Sequence, residues 1–416
     1  MSLKKNIFSY SLINTINASV PFLLLPVLTK YLSPTDYGLL SLIQAVILFL
    51  FPLVIMKSGG LLMIEYSNSD KDRYSKIFTS ALFLPLLGSL FLILVLYFTK
   101  DIISNNFAIP KYFLVYLPFL LLLHIIPTFL PILFQAMKKP KYFGYYKILM
   151  TLLNVLGSLL FIVFLSYNWI GRIYGIYISY FIFSVIGFYY LYKNKYISFN
   201  LSFKTIKEVA SFGIPLIPHA IAGVVIVSSS KFFLSNMSNN FDVGVYSVAL
   251  QVSGGLGILM MSINQAWAPI LFERLNTDSS IENKLQIVRL TYKIMLVMLL
   301  LSITFMFALP FVYKFFIDVN YHGGIMISLL LVIAFLLQGF YFMVTNYILY
   351  SKKTKYLSAI TVSSSLLILI LNYSLIMNYN MLGAAYAMIL TNLILFLSVW
   401  FFSNKIFKMP WLLNEK

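Results

Sequence analysis

Residues 25–41, LPVLTKYLSPTDYGLLS, close one apolar segment, turn at Ser33-Pro34 and open the next. Polar residues confined to the middle of such a stretch are the pattern of two membrane spans joined by a short hairpin. The design returns 206 positions later, where Asp242, Gly244 and Ser247 repeat the D-x-G-x-x-S spacing of Asp36, Gly38 and Ser41 between two further apolar segments. Two more echoes follow at nearly the same offset. Lys138-Lys139-Pro140-Lys141-Tyr142 is matched 214 positions on by Lys352-Lys353-Thr354-Lys355-Tyr356, and Asn168 to Gly171 with Tyr174 is matched 212 positions on by Asn380 to Gly383 with Tyr386. Three echoes in one order mark an internal duplication, because shared hydrophobicity alone does not conserve order.

Composition says what is duplicated. Hydrophobic residues make up 61% of the chain and charged residues 10%, against about a quarter charged in soluble domains. Apolar runs of about 20 residues recur from end to end, each long enough as a helix to cross a hydrocarbon core of about 30 Å. Twelve spans are expected, near 6–32, 36–66, 75–99, 111–136, 142–166, 170–192, 205–234, 242–271, 285–309, 324–350, 355–377 and 381–403. The first is too long and too rich in Asn and Pro for a cleavable signal, and no small-residue cleavage site follows it. Lone alternating strands, the mark of an outer-membrane barrel, do not occur. The expected fold is an all-α polytopic membrane protein with two pseudo-symmetric six-helix bundles, residues 1–200 and 201–416, around a central cleft. An even number of spans in each half places their symmetry axis along the membrane normal.

The formal charge of +18 raises the question of nucleic acid. Position answers it. With the spans above, Lys30, Lys100, Lys111, Arg172, Lys231 and Lys314 fall on one side and the remaining 24 of 30 basic residues on the other. By the positive-inside rule the basic side, which holds both termini, is cytoplasmic, so the charge is topological and no nucleic-acid partner is expected. The stretch 193–207, KNKYISFNLSFKTIK, mixes Lys with aromatic residues and reads as a linker lying on the headgroups between the halves. The absence of cysteine rules out disulfides and thiolate metal sites.

Little in the chain suits an enzyme. There is no HExxH, P-loop or GxSxG pattern, and Gly254-Gly255-Leu256-Gly257 lies inside an apolar span, where glycines serve helix packing. Asp70-Lys71-Asp72 has a metal-binding spacing but sits in a short loop with no domain to hold a nucleotide, and reads as solvated loop charge. The informative groups are those at membrane depth, where an ionisable side chain costs about 2.5–3.5 kcal/mol and normally faces a wet cavity. His124 lies mid-span, with Gln338 at the equivalent place in the second half. His219 follows Pro215 and Pro218, where a disturbed helix exposes carbonyls. For both histidines, a neutral ring bonded to a carbonyl and a cavity role stay open. Lys57, deep in the second span, either snorkels to the headgroups or lines the cleft. Lys30 and Lys231 stand near outer span ends, and Arg274 at an inner one. Asn14, Asn17, Gln44, Asn154, Gln251, Asn264, Gln265 and Asn346 either bond between helices or meet a polar ligand. All twelve acidic residues fall in loops or at span ends. A cleft with Lys, Arg and His but no carboxylate should prefer anions.

These residues resemble a known family, the Wzx-type O-antigen or capsular polysaccharide flippases of the multidrug/oligosaccharidyl-lipid/polysaccharide (MOP) superfamily. The resemblance rests on residues 25–41, on Pro215-Leu216-Ile217-Pro218, on Ser230-Lys231-Phe232-Phe233-Leu234, on Val243 to Ala249, and on Asn264-Gln265-Ala266-Trp267-Ala268-Pro269 with Phe272 and Arg274. Where the family often carries Asp before the basic residue of span seven this chain has Ser230, and where it often carries Arg near the inner end of span two it has Glu65. The resemblance implies a non-enzymatic carrier in the bacterial inner membrane, moving an oligosaccharide linked through pyrophosphate to undecaprenol between leaflets. Its expected partners are that lipid, the surrounding membrane lipids, and the polymerase and glycosyltransferases of the same pathway. No cofactor is implied beyond H+ or Na+ coupling with no residue assigned. The cleft candidates are Lys30, Lys57, His124, His219, Lys231, Asn264, Gln265, Trp267, Arg274 and Gln338. A lipid II flippase and a drug/cation antiporter of the same superfamily remain as alternatives, as does, from another class, a membrane glycosyltransferase or polymerase, which the short loops disfavour.

Overall fold

The computed structural model describes residues 3–198, 200–278 and 280–412, and side chains from Tyr10 onward except those of residues 11 and 12. Lys416 and the side chains of Lys4 and Lys5, counted above on the basic side, lie outside what is described. The helices are α1 (Leu3–Tyr31), α2 (Pro34–Ile55), α3 (Gly59–Asn68), α4 (Lys71–Phe107), α5 (Lys111–Leu123), α6 (Ile125–Ala136), α7 (Pro140–Leu159), α8 (Asn168–Lys193), α9 (Phe203–Gly213), α10 (Ile217–Met237), α11 (Asn240–Thr277), α12 (Ile281–Phe316), α13 (Ile325–Tyr350) and α14 (Thr354–Ile406). Among the described residues there is no strand.

The three echoes are three shared turns. At the first, Ser33 caps α2 by accepting from the Asp36 amide at 3.1 Å, and its hydroxyl donates back to the Asp36 carboxylate at 2.7 Å. At the copy, Asn239 accepts from the Asp242 amide at 2.9 Å while Ser238 donates to the Asp242 carboxylate. Each Asp thus closes a reciprocal cap at the third helical position, where its charge also favours the helix N-terminus. At the second echo Lys138 (φ 55°) and Lys352 (φ 56°) take the same left-handed conformation, and the next amides, of Lys139 and Lys353, return to Phe134 and Ile348. At the third, Asn168 (φ 44°) and Asn380 (φ 53°) both take a positive φ, Asn380 with ψ −131°. There Gly383 lets the chain double back, for a Cβ would overlap the Leu375 carbonyl.

Ten described segments are long and apolar enough to cross a membrane. One of them, Thr354–Ile406, is two helices broken at Asn380, and α1, 29 residues long, precedes them all. Eleven candidate spans result among the described residues, and α1 stands where the sequence places the first of its twelve.

Two compact units divide the chain, Met1–Val224 and Val225–Lys416. The first runs past 200/201, and the connecting stretch is packed against α4. Tyr196 is buried against Tyr74, Lys71 stands over its ring at 5.6 Å, and the Ser198 amide donates to Thr79 at 2.8 Å. Burial pushes the Tyr196 phenol up to about 12. Helix α9 then buries Thr205, Val209 and Gly213, one face at a spacing of four. Thr205 bonds Ser80 at 2.9 Å, and Glu208 pairs with Arg73 at 3.0 Å.

Candidate functional site

Each unit carries its own polar groups. In the first, α7 and α8 cross closely because Gly157 and Gly175 face one another. A Cβ at Gly157 would lie 3.2 Å from the Gly175 Cα, and one at Gly175 would overlap the Ser158 backbone. Small residues of this kind permit backbone approach inside a membrane. The approach encloses Arg172, which is 8% exposed and is the charged residue among the described buried side chains. Its Nη1 donates to Ser158 Oγ at 2.6 Å and to Asn154 Oδ1. Tyr37 of α2 and Tyr180 of α8 lie within electrostatic range of it. None of the four described ion pairs includes it. A guanidinium held only by neutral groups keeps its full charge facing whatever enters its surroundings. At the start of α8 it looks interfacial in the sequence; the fold makes it internal. The available signal was an asymmetry of the duplication, since the equivalent position is Ala384.

Tyr180 connects Arg172 to a histidine. The His124 ring stands edge-on to Tyr180 at 4.3 Å and tilted to Tyr177 and Phe51 at 5.5 and 5.2 Å. Its Nε2 and the Tyr177 hydroxyl are enclosed without a hydrogen-bond partner. His124 sits where α5 gives way to α6, a break in the span between Pro118 and Pro127.

Lys57 is not inside a continuous span. Helix α2 has 22 residues, about 33 Å at 1.5 Å per residue, already a full hydrocarbon thickness. After it Met56 and Lys57 both adopt φ 49°, and α3 begins at Gly59. Two consecutive left-handed residues without a glycine are strained. The break is held by Gly213 at the end of α9, where a Cβ would overlap the Met56 carbonyl oxygen. Lys57 is exposed at this break, and so is His219, in the first turn of α10 after the 3₁₀ turn Ile214–Leu216. Lys30 is exposed and lies 5.8 Å from the Tyr31 ring centre. Lys147, counted among the loop lysines, is half-buried and donates to Asn14 at 3.1 Å.

In the second unit Lys231 is half-buried on α10 and takes part in none of the described ion pairs. Ser230 beside it donates to Asn372 at 3.0 Å, and Asn372 donates to Ser229 at 2.9 Å, so a closed neutral network stands where an acid would pair with the lysine. Asn264 accepts from Asn346 at 2.8 Å, tying α11 to α13. Trp267 is buried with its Nε1 unpartnered, while Gln265 is exposed and Gln338 half-buried. Arg274 is half-buried, and its carbonyl accepts from Asn283 at 2.8 Å.

The acids stay peripheral. Asp70 caps α4 through the Arg73 amide at 2.8 Å and Asp72 pairs with Lys76 at 2.6 Å, which accounts for the D-x-D spacing without a metal. Glu65, 14% exposed, lies 3.9 Å from Arg73. Among the described residues no group of three His, Asp or Glu could hold a metal ion.

The profile of the family described as "Polysaccharide biosynthesis protein" matches residues 3–275. No curated protein matches the chain. Among solved structures, an inward-facing multidrug resistance MATE family transporter of the MOP superfamily superposes with a TM-score of 0.73 at 15% identity, over 93% of this chain and 94% of that one. An outward-facing MATE transporter gives 0.57 at 16%, over 97% and 95%. A MOP superfamily transporter from Pyrococcus furiosus, described as having a binding pocket of reversed polarity, gives 0.61 at 16%, over 99% and 97%. At such identities the likeness is one of fold: the chain is an all-α, multi-pass, MATE-like membrane protein.

Proposed function

The chain belongs to the polysaccharide biosynthesis protein family, and from that premise we propose that it is a flippase. In this reading it is a carrier and not an enzyme. It moves an oligosaccharide linked through pyrophosphate to undecaprenol from the cytoplasmic to the periplasmic leaflet of a bacterial inner membrane, by alternating access of two repeats. The problem it solves is electrostatic. A sugar diphosphate loses its water in hydrocarbon at prohibitive cost, whereas a polyprenyl tail can stay in lipid. A carrier for it needs cations at membrane depth without carboxylates to neutralise them.

The observation that carries the reading is Arg172, enclosed in the first unit and held through its Nη1 by Asn154 and Ser158. Lys57 and His219, exposed at two interrupted helices, are assigned the first contacts with the pyrophosphate, and Lys231 supplies a second unpaired cation. Coupling to H+ or Na+ belongs to the proposal without a residue. A drug/cation antiporter, the second reading the fold allows, needs a buried carboxylate, and the described buried side chains include none.

Complementation tests the reading. In a strain lacking its own flippase, Arg172→Gln, Lys57→Gln and His219→Gln are each expected to cut surface polysaccharide at least tenfold at wild-type protein level. Full polymer from all three variants would sink it.

A further inference from the structure

The chain does not simply leave the membrane after α14. Phe407 departs from the helix, and the segment to Trp411 folds back. The Met409 amide donates to Asn404 Oδ1 at 3.1 Å, the Tyr292 hydroxyl donates to the Trp411 carbonyl at 2.8 Å, and the Trp411 ring packs edge-on against Trp400 at 5.8 Å and Tyr347 at 5.6 Å. Between this return and the last turns of α14 lies a cavity of about 610 Å³ whose wall includes Phe401, Asn404, Lys405, Lys408 and both tryptophans. That volume is in the range of built ligand sites.

Four observations define what fits. Both lysines are exposed at the cavity, they join none of the described ion pairs, and no acidic residue is among the described lining. Height is set by helix length: from the break at Asn380, about 20 residues cross the hydrocarbon, so residues near 400 reach its edge and Lys405 and Lys408 stand at headgroup level. Along α14, Leu390, Ile394, Leu397 and Phe401 are 39, 41, 46 and 66% exposed, a single apolar face at helical spacing that runs into the cavity. Finally, Trp400 and Trp411 both belong to the same wall, and indole rings suit the level where hydrocarbon meets headgroups. An acidic head beside an exposed apolar track describes an amphiphile.

We propose that this cavity binds the headgroup of an anionic membrane phospholipid, with its phosphate between Lys405 and Lys408 and an acyl chain along the Leu390–Phe401 face. Basic pockets beside membrane helices hold acidic headgroups in this way. None of the groups assigned to transport is among its described lining residues.

The test uses the full-length protein in phosphatidylcholine nanodiscs containing a small fraction of phosphatidylglycerol, with retained lipid identified by native mass spectrometry. Phosphatidylglycerol should be retained over phosphatidylcholine. Lys405→Gln with Lys408→Gln should lower that preference roughly thirty-fold, about fivefold per lysine, while Lys405→Arg with Lys408→Arg preserves it. Lys353→Gln with Lys355→Gln, an exposed pair outside the cavity, should change it less than twofold. Equal retention of the two lipids, or an equal loss from the Lys353 and Lys355 pair, would overturn the site as mere surface charge. Displacement of phosphatidylglycerol by equimolar undecaprenyl pyrophosphate would overturn the choice of phospholipid.

Discussion

Arg172 shows at the scale of one residue why hydropathy alone misplaces a charged group. A basic residue four positions into a span is assigned to the interface by default, and nothing in its immediate neighbours contradicts this. What encloses it is the contact of Gly157 with Gly175, a tertiary event visible in sequence only as glycines spaced along two adjacent spans. Its structural role and its proposed transport role separate by mutation. Arg172→Met leaves Asn154 without its donor and should lower stability by about 2–4 kcal/mol. Adding Asn154→Leu should restore most of that in a detergent thermal melt while transport stays lost. Recovery of transport along with stability would make Arg172 a packing residue. Lys57 allows the opposite separation. Held at φ 49°, it costs about 1–2 kcal/mol that glycine avoids, so Lys57→Gly should melt higher than wild type yet flip substrate more slowly.

Among elements, the interrupted second span and the docked helix α9 are one device. The break was not legible, because its left-handed residues are Met56 and Lys57 while the neighbouring Gly59 and Gly60 are helical; glycine usually marks such a position, and here it marks the residues after it. Helix α9 was partly legible. Its first residues fall in the stretch 193–207 expected to be a headgroup linker and the rest in the expected span 205–234, and only the contact of Gly213 with Met56 shows what the face of Thr205, Val209 and Gly213 is for. Gly213→Ala should therefore abolish folded protein, since the obstructing atom is backbone oxygen and cannot swing away. Gly223→Ala, ten residues on, where nothing lies within 4 Å of the added carbon, should be neutral or slightly stabilising. Yield and monodispersity on size exclusion read out both. Equal behaviour of the two variants would mean that α9 is not locked to the break.

The molecule as a whole was legible in outline. Span number followed from hydropathy, and the duplication from three short echoes that the structure identifies as matching turns, including the capping Asp36 and Asp242 with which residues 25–41 and their copy begin a helix. Of the proposed function, the peripheral placing of the acids was legible, whereas the enclosure of Arg172, on which the proposal rests, was not. The duplication is also imperfect in an instructive way: α2 and α3 are broken where α11 runs on unbroken, and Arg172 has Ala384 as its counterpart. The most direct measurement is transport itself. Purified protein in proteoliposomes, supplied with a fluorescent undecaprenyl-pyrophosphate oligosaccharide and assayed by leaflet-specific enzymatic access, should move the labelled lipid across. Arg172→Gln should reduce the rate at least tenfold. Equal rates from protein-free, wild-type and Arg172→Gln vesicles, under both imposed H+ and Na+ gradients, would contradict the account.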